Sequence, residues 1–299
     1  MTADASSPPV RALVLGGGGL AGIAWEVGVL VGLAEAGVDL ALADRIVGTS
    51  AGSVVGTLLA TGVDLAAVHA EHRDVDAAGA SGPPVTLDLE ALGGELAATM
   101  SGARDAREMR ARLGAWALSV DTPPEAERRA IIDARLPVKE WPAKDLRISA
   151  VDARSGDIAI FTRDSGVGLV DAVAASCAVP GVWPPMTVDG RRYLDGGVAS
   201  IVHVARADDP TPADRLLVVA PLDPPASGPF RSVTQEIEHR QERRAADTAD
   251  TDALAILADE ASVAAFGTNV LDPAAMPASA RAGREQGRAA ADEVKRRWA

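Results

Sequence analysis

One cysteine, Cys177, occurs in 299 residues, so no disulfide can form within the chain and a reducing compartment is expected. Its neighbours, Ala175, Ser176 and Ala178, mark it as a small buried hydrophobe. No apolar run reaches the roughly 18–20 residues of a membrane span. Met1 to Pro9 is short and polar and has no Lys or Arg. Neither a spanning helix nor a signal peptide is therefore expected, and the predicted location is cytoplasmic. Positive charge is scarce: 29 Lys and Arg against 42 Asp and Glu leave a net charge of −13. That balance argues against nucleic-acid binding and against strong attraction to anionic lipid. Internal repeats are absent.

What is present is an alternation of apolar runs and helical patterns. Ala12 to Leu15 reads as a buried strand entering the glycine run Gly16 to Gly19, and helical spacing follows from Ile23 to Ala36. A second strand, Arg45 to Val47, leads through Gly48, Thr49, Ser50, Ala51 and Gly52 into a helix that stops at Thr61 and Gly62. Between about Ala78 and Pro124 glycines and prolines, among them Gly93 and Gly94, break up short apolar stretches, which reads as an insertion or lid over residues 78–124. Strands are expected at Leu146 to Val151 and Ile158 to Phe161, and a helix at Leu169 to Ser176. A hairpin is expected about Asp189 and Gly190, and a last core strand from Leu216 to Ala220. Residues 230–299 read as helical with a break near Gly267. The pattern predicts one α/β domain over 1–299, a three-layer α/β/α sandwich on a largely parallel sheet, with its motif-bearing core at about 11–220.

Three short motifs carry chemistry. Gly16 to Gly22 lies between a strand and a helix, where backbone N–H groups and the helix N-terminus can gather round an anion. A dinucleotide would want an acidic residue at the end of the next strand, and that end is occupied by Gly48 to Gly52, so the oxyanion of an acyl intermediate is the better reading. Gly48-Thr49-Ser50-Ala51-Gly52 has the form of a nucleophile elbow, a serine on a tight strand-to-helix turn flanked by small residues. Asp195-Gly196-Gly197 follows the hairpin strand and presents a carboxylate where backbone can approach closely. Of the four histidines, His69, His72 and His239 read as surface residues, and His203 is the one with a claim on the site.

The order of a glycine-rich loop, G-x-S-x-G some 30 residues on and a downstream D-G-G resembles the patatin-like phospholipases. Ala174 to Pro185, with its Ser176-Cys177-Ala178-Val179-Pro180-Gly181, is similar to the segment preceding D-G-G in that family. The resemblance covers about residues 11–200. It implies a Ser50–Asp195 dyad without histidine, with backbone N–H groups around Gly17, Gly18 and Gly19 holding the oxyanion. Two departures stand out: Ala21 replaces the family's usual basic residue in the glycine loop, and Ile201 and His203 stand where Asn and Pro are common.

The reading that results is a lipid acyl hydrolase cleaving acyl esters, with no cofactor, no metal and no nucleic-acid partner. Its rivals are a short-chain esterase or thioesterase and a catalytically inactive lipid-binding module. Arg281, Arg284, Arg288 and Lys295 fall near one helical face that ends at Trp298, a pattern read as a solvated face, with transient membrane-surface contact as its alternative.

Overall fold

The computed structural model describes residues 8–74, 89–226, 230–244 and 252–298. Its centre is a single sheet of β1 (Arg11–Leu15), β2 (Arg45–Gly48), β3 (Asp145–Asp152), β4 (Ile158–Phe161), β5 (Met186–Val188), β6 (Arg191–Asp195), β7 (Arg215–Ala220) and β8 (Asp252–Leu257). The spatial order is β5-β6-β3-β2-β1-β7-β8, with β4 also paired to β3. From β3 to β8 the neighbours run parallel, while β4 and the β5–β6 hairpin are antiparallel. Around the sheet lie α1 (Gly19–Glu35), α2 (Ala51–Ala60), α3 (Leu65–His72), α4 (Leu89–Met100), α5 (Ala106–Ala117), α6 (Glu125–Arg135), α7 (Leu169–Ser176), α8 (Val233–Arg244), α9 (Glu260–Phe266) and α10 (Met276–Trp298).

The parallel strands are apolar on both faces, as a sheet covered on both sides requires. Leu13 and Leu15 of β1 join Ile46, Leu217 and Val219 in a core closed by α1, α2, α7 and α10. Ala12 and Val14, one residue out of phase, join Val47, Leu216 and Val218 in a second core against Val202, Val204 and Val233. The expected three layers follow from this period-two partition.

α1 and α10 approach at their backbones. A Cβ at Gly28 or Gly32 would run into the Ala280 or Arg284 carbonyl, and one at Gly283 or Gly287 into the Trp25 or Val29 carbonyl. At the rim of this seam Arg284 and Arg288 both pair with Glu35, each at 2.7 Å. Trp298 is buried and its indole N–H donates to the Asp39 carbonyl at 3.0 Å. Two of the four basic residues of that helical face thus pair with α1 while Arg281 and Lys295 are exposed, and the terminal Trp cannot serve as an exposed anchor. None of the described helices is long and apolar enough to cross a membrane.

Three further expectations are corrected. The last sheet strand is β8, not β7: Asp252–Leu257 is alanine-rich and reads locally as helix, but pairing along the whole of β7 overrides that propensity. Gly93 and Gly94 lie inside α4 and do not break it, since a glycine weakens a helix without ending it. His69 is buried, with Nε2 3.1 Å from the Ala280 carbonyl, and His72 is half-buried, so neither is the surface residue expected. The stretch Val85-Leu87 of the expected lid lies outside the described residues.

The seam and α4 make contrasting predictions. Gly283→Leu should destabilise the protein by about 1–3 kcal/mol or more, because no space exists for the added atoms. Gly94→Ala, on an exposed helix face with nothing near the added methyl, should stabilise it by about 0.5–1 kcal/mol. Denaturant unfolding of the two variants checks the pair, and similar small changes in both would mean the seam is not close-packed.

Candidate active site

β1 and β2 lie side by side and both end at the same edge of the sheet, which sets the glycine loop beside the serine turn. Ser50 sits between β2 and α2 with φ 50° and ψ −113°, a region that residues with a side chain seldom occupy. Its strain is held by backbone bonds on either side: the Thr49 N–H donates to the Leu15 carbonyl at 3.1 Å and the Gly52 N–H to the Gly16 carbonyl at 2.9 Å. The Ser50 N–H itself donates to Ser176 Oγ at 2.9 Å. A Cβ at Gly52 would strike the Leu15 carbonyl and one at Gly48 the Gly52 carbonyl, so the two glycines are demanded by close approach. The Ser149 hydroxyl donates to Thr49 Oγ1 at 3.0 Å and braces the turn from β3.

Asp195 is the last residue of β6, placed opposite Ala150 of β3. Its N–H donates to the Ala178 carbonyl at 2.9 Å, and its Oδ1 accepts the Gly197 N–H at 2.7 Å. Oδ2 is buried with no partner in full hydrogen-bond geometry among the described residues. Burial pushes this carboxyl from its usual 3.8 up to about 6, opposed by the Gly197 N–H, by interaction with the Ser50 side chain and by the Arg128 charge. The pairing of Ser50 with Asp195 is thus close, with an alignment short of a formed hydrogen bond, as is common in unliganded sites. Gly196 packs so tightly on Ser149 that no side chain fits there.

The loop glycines divide by what their N–H groups do. Gly16 N–H is shared between the Val219 carbonyl at 3.0 Å and Glu26 Oε1 at 2.9 Å. Gly17 N–H is taken by the Ile201 carbonyl at 3.0 Å, so of the three glycines expected to hold an oxyanion it is the one already engaged. Gly18 and Gly19 have no N–H partner among the described residues. Gly22, a turn into α1, donates to the Gly18 carbonyl at 2.9 Å. Behind the loop, the fully buried Glu26 has its carboxyl pushed well up by burial, opposed by the Gly16 N–H.

Ser50, Asp195, Gly197 and Gly17 to Gly19 open into one cavity of about 310 Å³ whose other walls are almost wholly apolar. Leu96 and Met100 of α4 and Leu113 of α5 line it from the expected insertion, and the same three side chains pack on a small core over β3 and β6. The insertion is therefore wall and packing element together. Asn269, Val270 and Leu271 also line it, and the Val270 carbonyl accepts the Ala21 N–H at 3.0 Å. Sequence reasoning missed these three, because nothing local in Gly267 to Pro277 marks a wall whose place is fixed by the distant α1–α10 packing. His203 does not reach Ser50. It is buried, with Nε2 3.1 Å from the Gly196 carbonyl, and burial holds its pKa down to about 4. A neutral ring donating to a carbonyl is a brace behind Asp195 and not a base.

The buried carboxyl has a stability consequence. Because the folded pKa of about 6 lies above the ordinary 3.8, the folded state retains its proton while the unfolded chain has lost it, and stability falls as pH rises through that window. Above it the loss is complete. Asp195→Asn, neutral at every pH, should raise the melting temperature over wild type at about pH 8 and much less at about pH 4. A gain that is the same at both, in thermal unfolding followed by circular dichroism, would mean Asp195 is not carried as a buried charge.

The chain has similar counterparts among known proteins. Among solved structures, VipD from Legionella pneumophila is similar at 12% identity and a TM-score of 0.46, over 96% of this chain and 68% of that one. The type III effector ExoU is similar at 18% identity and a TM-score of 0.42, over 96% of this chain. The complex of SpcU with ExoU from Pseudomonas aeruginosa gives 17% identity and a TM-score of 0.42, over 98% of this chain. The chain spans only 53% of the ExoU chain. The sequence model of the patatin-like phospholipases matches residues 13–207, which include the glycine loop, the serine turn and Asp195. By that match, over more than half its length, the chain belongs to the patatin-like phospholipase family.

Proposed function

We propose that this protein is a serine acyl hydrolase that cleaves esters of lipid type with Ser50 and Asp195. The observation that carries the reading is the strained Ser50 facing a buried carboxylate at the base of an apolar cavity. In the proposed reaction Ser50 Oγ attacks the ester carbonyl and its proton passes to Asp195. The carbonyl oxygen, now negative, is met by the N–H groups of Gly18 and Gly19, which have no partner among the described residues, and by the field of the α1 N-terminus. Collapse expels the alcohol, which takes the proton from Asp195 and leaves an acyl-Ser50 ester. Water then repeats the attack, with Asp195 as its base, and releases the fatty acid. A carboxylate at its ordinary pKa of about 4 is a poor base for a hydroxyl. Burial that lifts Asp195 to about 6 brings it nearer to the working range.

The cavity also speaks to the substrate. None of its lining residues carries positive charge, and residues 75–88, outside the described set, contain no Lys or Arg. A cavity of about 310 Å³ is at the small end of the roughly 300–1,000 Å³ typical of ligand sites, enough for an acyl chain and not for a whole diacyl lipid. The acyl tail is assigned to the cavity and the alcohol portion to its mouth, reached by transient contact with a lipid surface. The intact Ser50 and Asp195 favour this reading over an inactive lipid-binding module, and the apolar depth favours it over an enzyme restricted to short acyl groups.

Ser50→Ala should abolish ester hydrolysis and stoichiometric labelling by a fluorophosphonate while leaving the fold intact. Asp195→Asn should cost about as much activity, since members of one catalytic unit are non-additive, whereas His203→Gln should leave most of it. Hydrolysis that survives Ser50→Ala, or dies with His203→Gln in a folded protein, refutes the assignment. Met100→Trp, which intrudes on the cavity wall, should lower kcat/KM several-fold for a long-chain p-nitrophenyl ester and spare the acetate. An equal fall for both esters would place the acyl chain elsewhere.

A further inference from the structure

Arg128 of α6 is 4% exposed, a guanidinium buried without a full ion pair. It lies over the Trp183 ring at 4.1 Å from the centroid, and its Nη2 donates to the Cys177 carbonyl at 3.1 Å. Its Nε is buried and makes no hydrogen bond among the described residues. Burying a cation costs several kcal/mol unless an anion offsets it, and packing against Trp183 could be achieved as well by an uncharged side chain.

The residues beneath Arg128 touch both members of the dyad. Ser176 Oγ accepts the Ser50 N–H at 2.9 Å, Cys177 Sγ lies 3.4 Å from the Ser50 carbonyl, and the Ala178 carbonyl accepts the Asp195 N–H at 2.9 Å. Three consecutive residues at the end of α7 thus hold nucleophile and base, and the guanidinium is bonded to the middle one. The groups that face Arg128 are the Cys177 thiol, Arg135 of the same helix and the Asp195 carboxyl, of which only the carboxyl is an anion near neutral pH. Burial lowers the Arg128 pKa only to about 10, so it remains charged. The glycine-rich segment 16–22 contains no charged residue that could take its place.

We propose that Arg128 is a positioning residue that sets the Ser176–Ala178 clamp on Ser50 and Asp195 and supplies the positive charge that keeps Asp195 ionised as the base. The proposal rests on the assignment of Asp195 as base, and its role is distinct from packing because it must appear in the pH dependence of the reaction. Asp195 is faced by the Ser50 hydroxyl, the Gly197 N–H, Arg128 and the Cys177 thiol, so removing the cation leaves no other positive charge in that group.

The test is the acid limb of kcat/KM for p-nitrophenyl butyrate, which reports ionisation of the free enzyme, in wild type, R128M, R128Q and R128K, each checked for folding by circular dichroism. R128M and R128Q should move the limb upward by more than the few tenths of a pH unit allowed to R128K, the direction that loss of a neighbouring opposite charge requires. R128K, which retains the charge, should leave the limb within a few tenths of wild type. R128Q keeps a donor for the Cys177 carbonyl, so it decides the matter should R128M fail to fold. A limb unmoved in a folded neutral variant, whether or not kcat falls, overturns the proposal, as does a limb displaced equally in R128K. Fluorophosphonate labelling of Ser50 in the same samples separates the two levels of the argument. Labelling with an unmoved limb refutes the role of Arg128 alone, and no labelling of wild type refutes the dyad beneath it.

Discussion

The site depends on how closely β1 can pass the helix that follows the serine. The Leu15 carbonyl accepts the Thr49 N–H, the Gly16 carbonyl accepts the Gly52 N–H, and the Leu15 backbone touches Gly52 at its Cα. Any side chain at Gly52 would push the strand and the turn apart, releasing Ser50 from its left-handed conformation and separating the glycine loop from Ser50. The parallel pairing of β1 with β2 brings the two strand ends level. Strain in the turn is therefore sustained by the sheet, not by the turn's own residues.

The charged groups at the centre follow from the same burial. Glu26, Asp195, Arg128 and His203 all lie within the protein, and the low dielectric treats each according to its partners. Glu26 meets one N–H and its carboxyl is pushed well up, and His203 meets a carbonyl and is held down to about 4. Asp195 has an N–H, a hydroxyl and a guanidinium, enough to bring its carboxyl back only as far as about 6. What separates the Asp195 carboxyl from these buried neighbours is the Ser50 hydroxyl that faces it.

Much of this was legible in the sequence, and the legible part is local. Ser50, Asp195, the helix at Leu169–Ser176 and the Asp189–Gly190 hairpin are written in residues adjacent to one another, where turn chemistry and periodicity act over a few positions. What could not be read depends on contacts between remote segments. β8 becomes a strand because β7 offers it an edge, against an alanine content that favours helix. His69 is buried because Ala280 arrives above it, and Asn269 to Leu271 become a cavity wall because α10 is drawn onto α1. Trp298 ends a basic helical face on paper, but its own ring is buried while Arg281, Arg288 and Lys295 stay exposed. The glycine loop was legible as a tight link between β1 and α1, though not the division by which Gly17 is bonded to Ile201 while the Gly18 and Gly19 N–H groups have no partner among the described residues.

The seam between α1 and α10 ties the glycine loop to a part of the chain remote from it. α1 carries the loop at its N-terminus, and its outer side is covered by residues 276–298, whose backbone meets that of α1 at Gly28, Gly32, Gly283 and Gly287. The segment leading into that cover supplies the Val270 carbonyl that accepts the Ala21 N–H. Docking of the helix and settling of the loop are therefore one event, and an opening of the seam is felt at Gly19 and Ala21 before it is felt anywhere on the sheet.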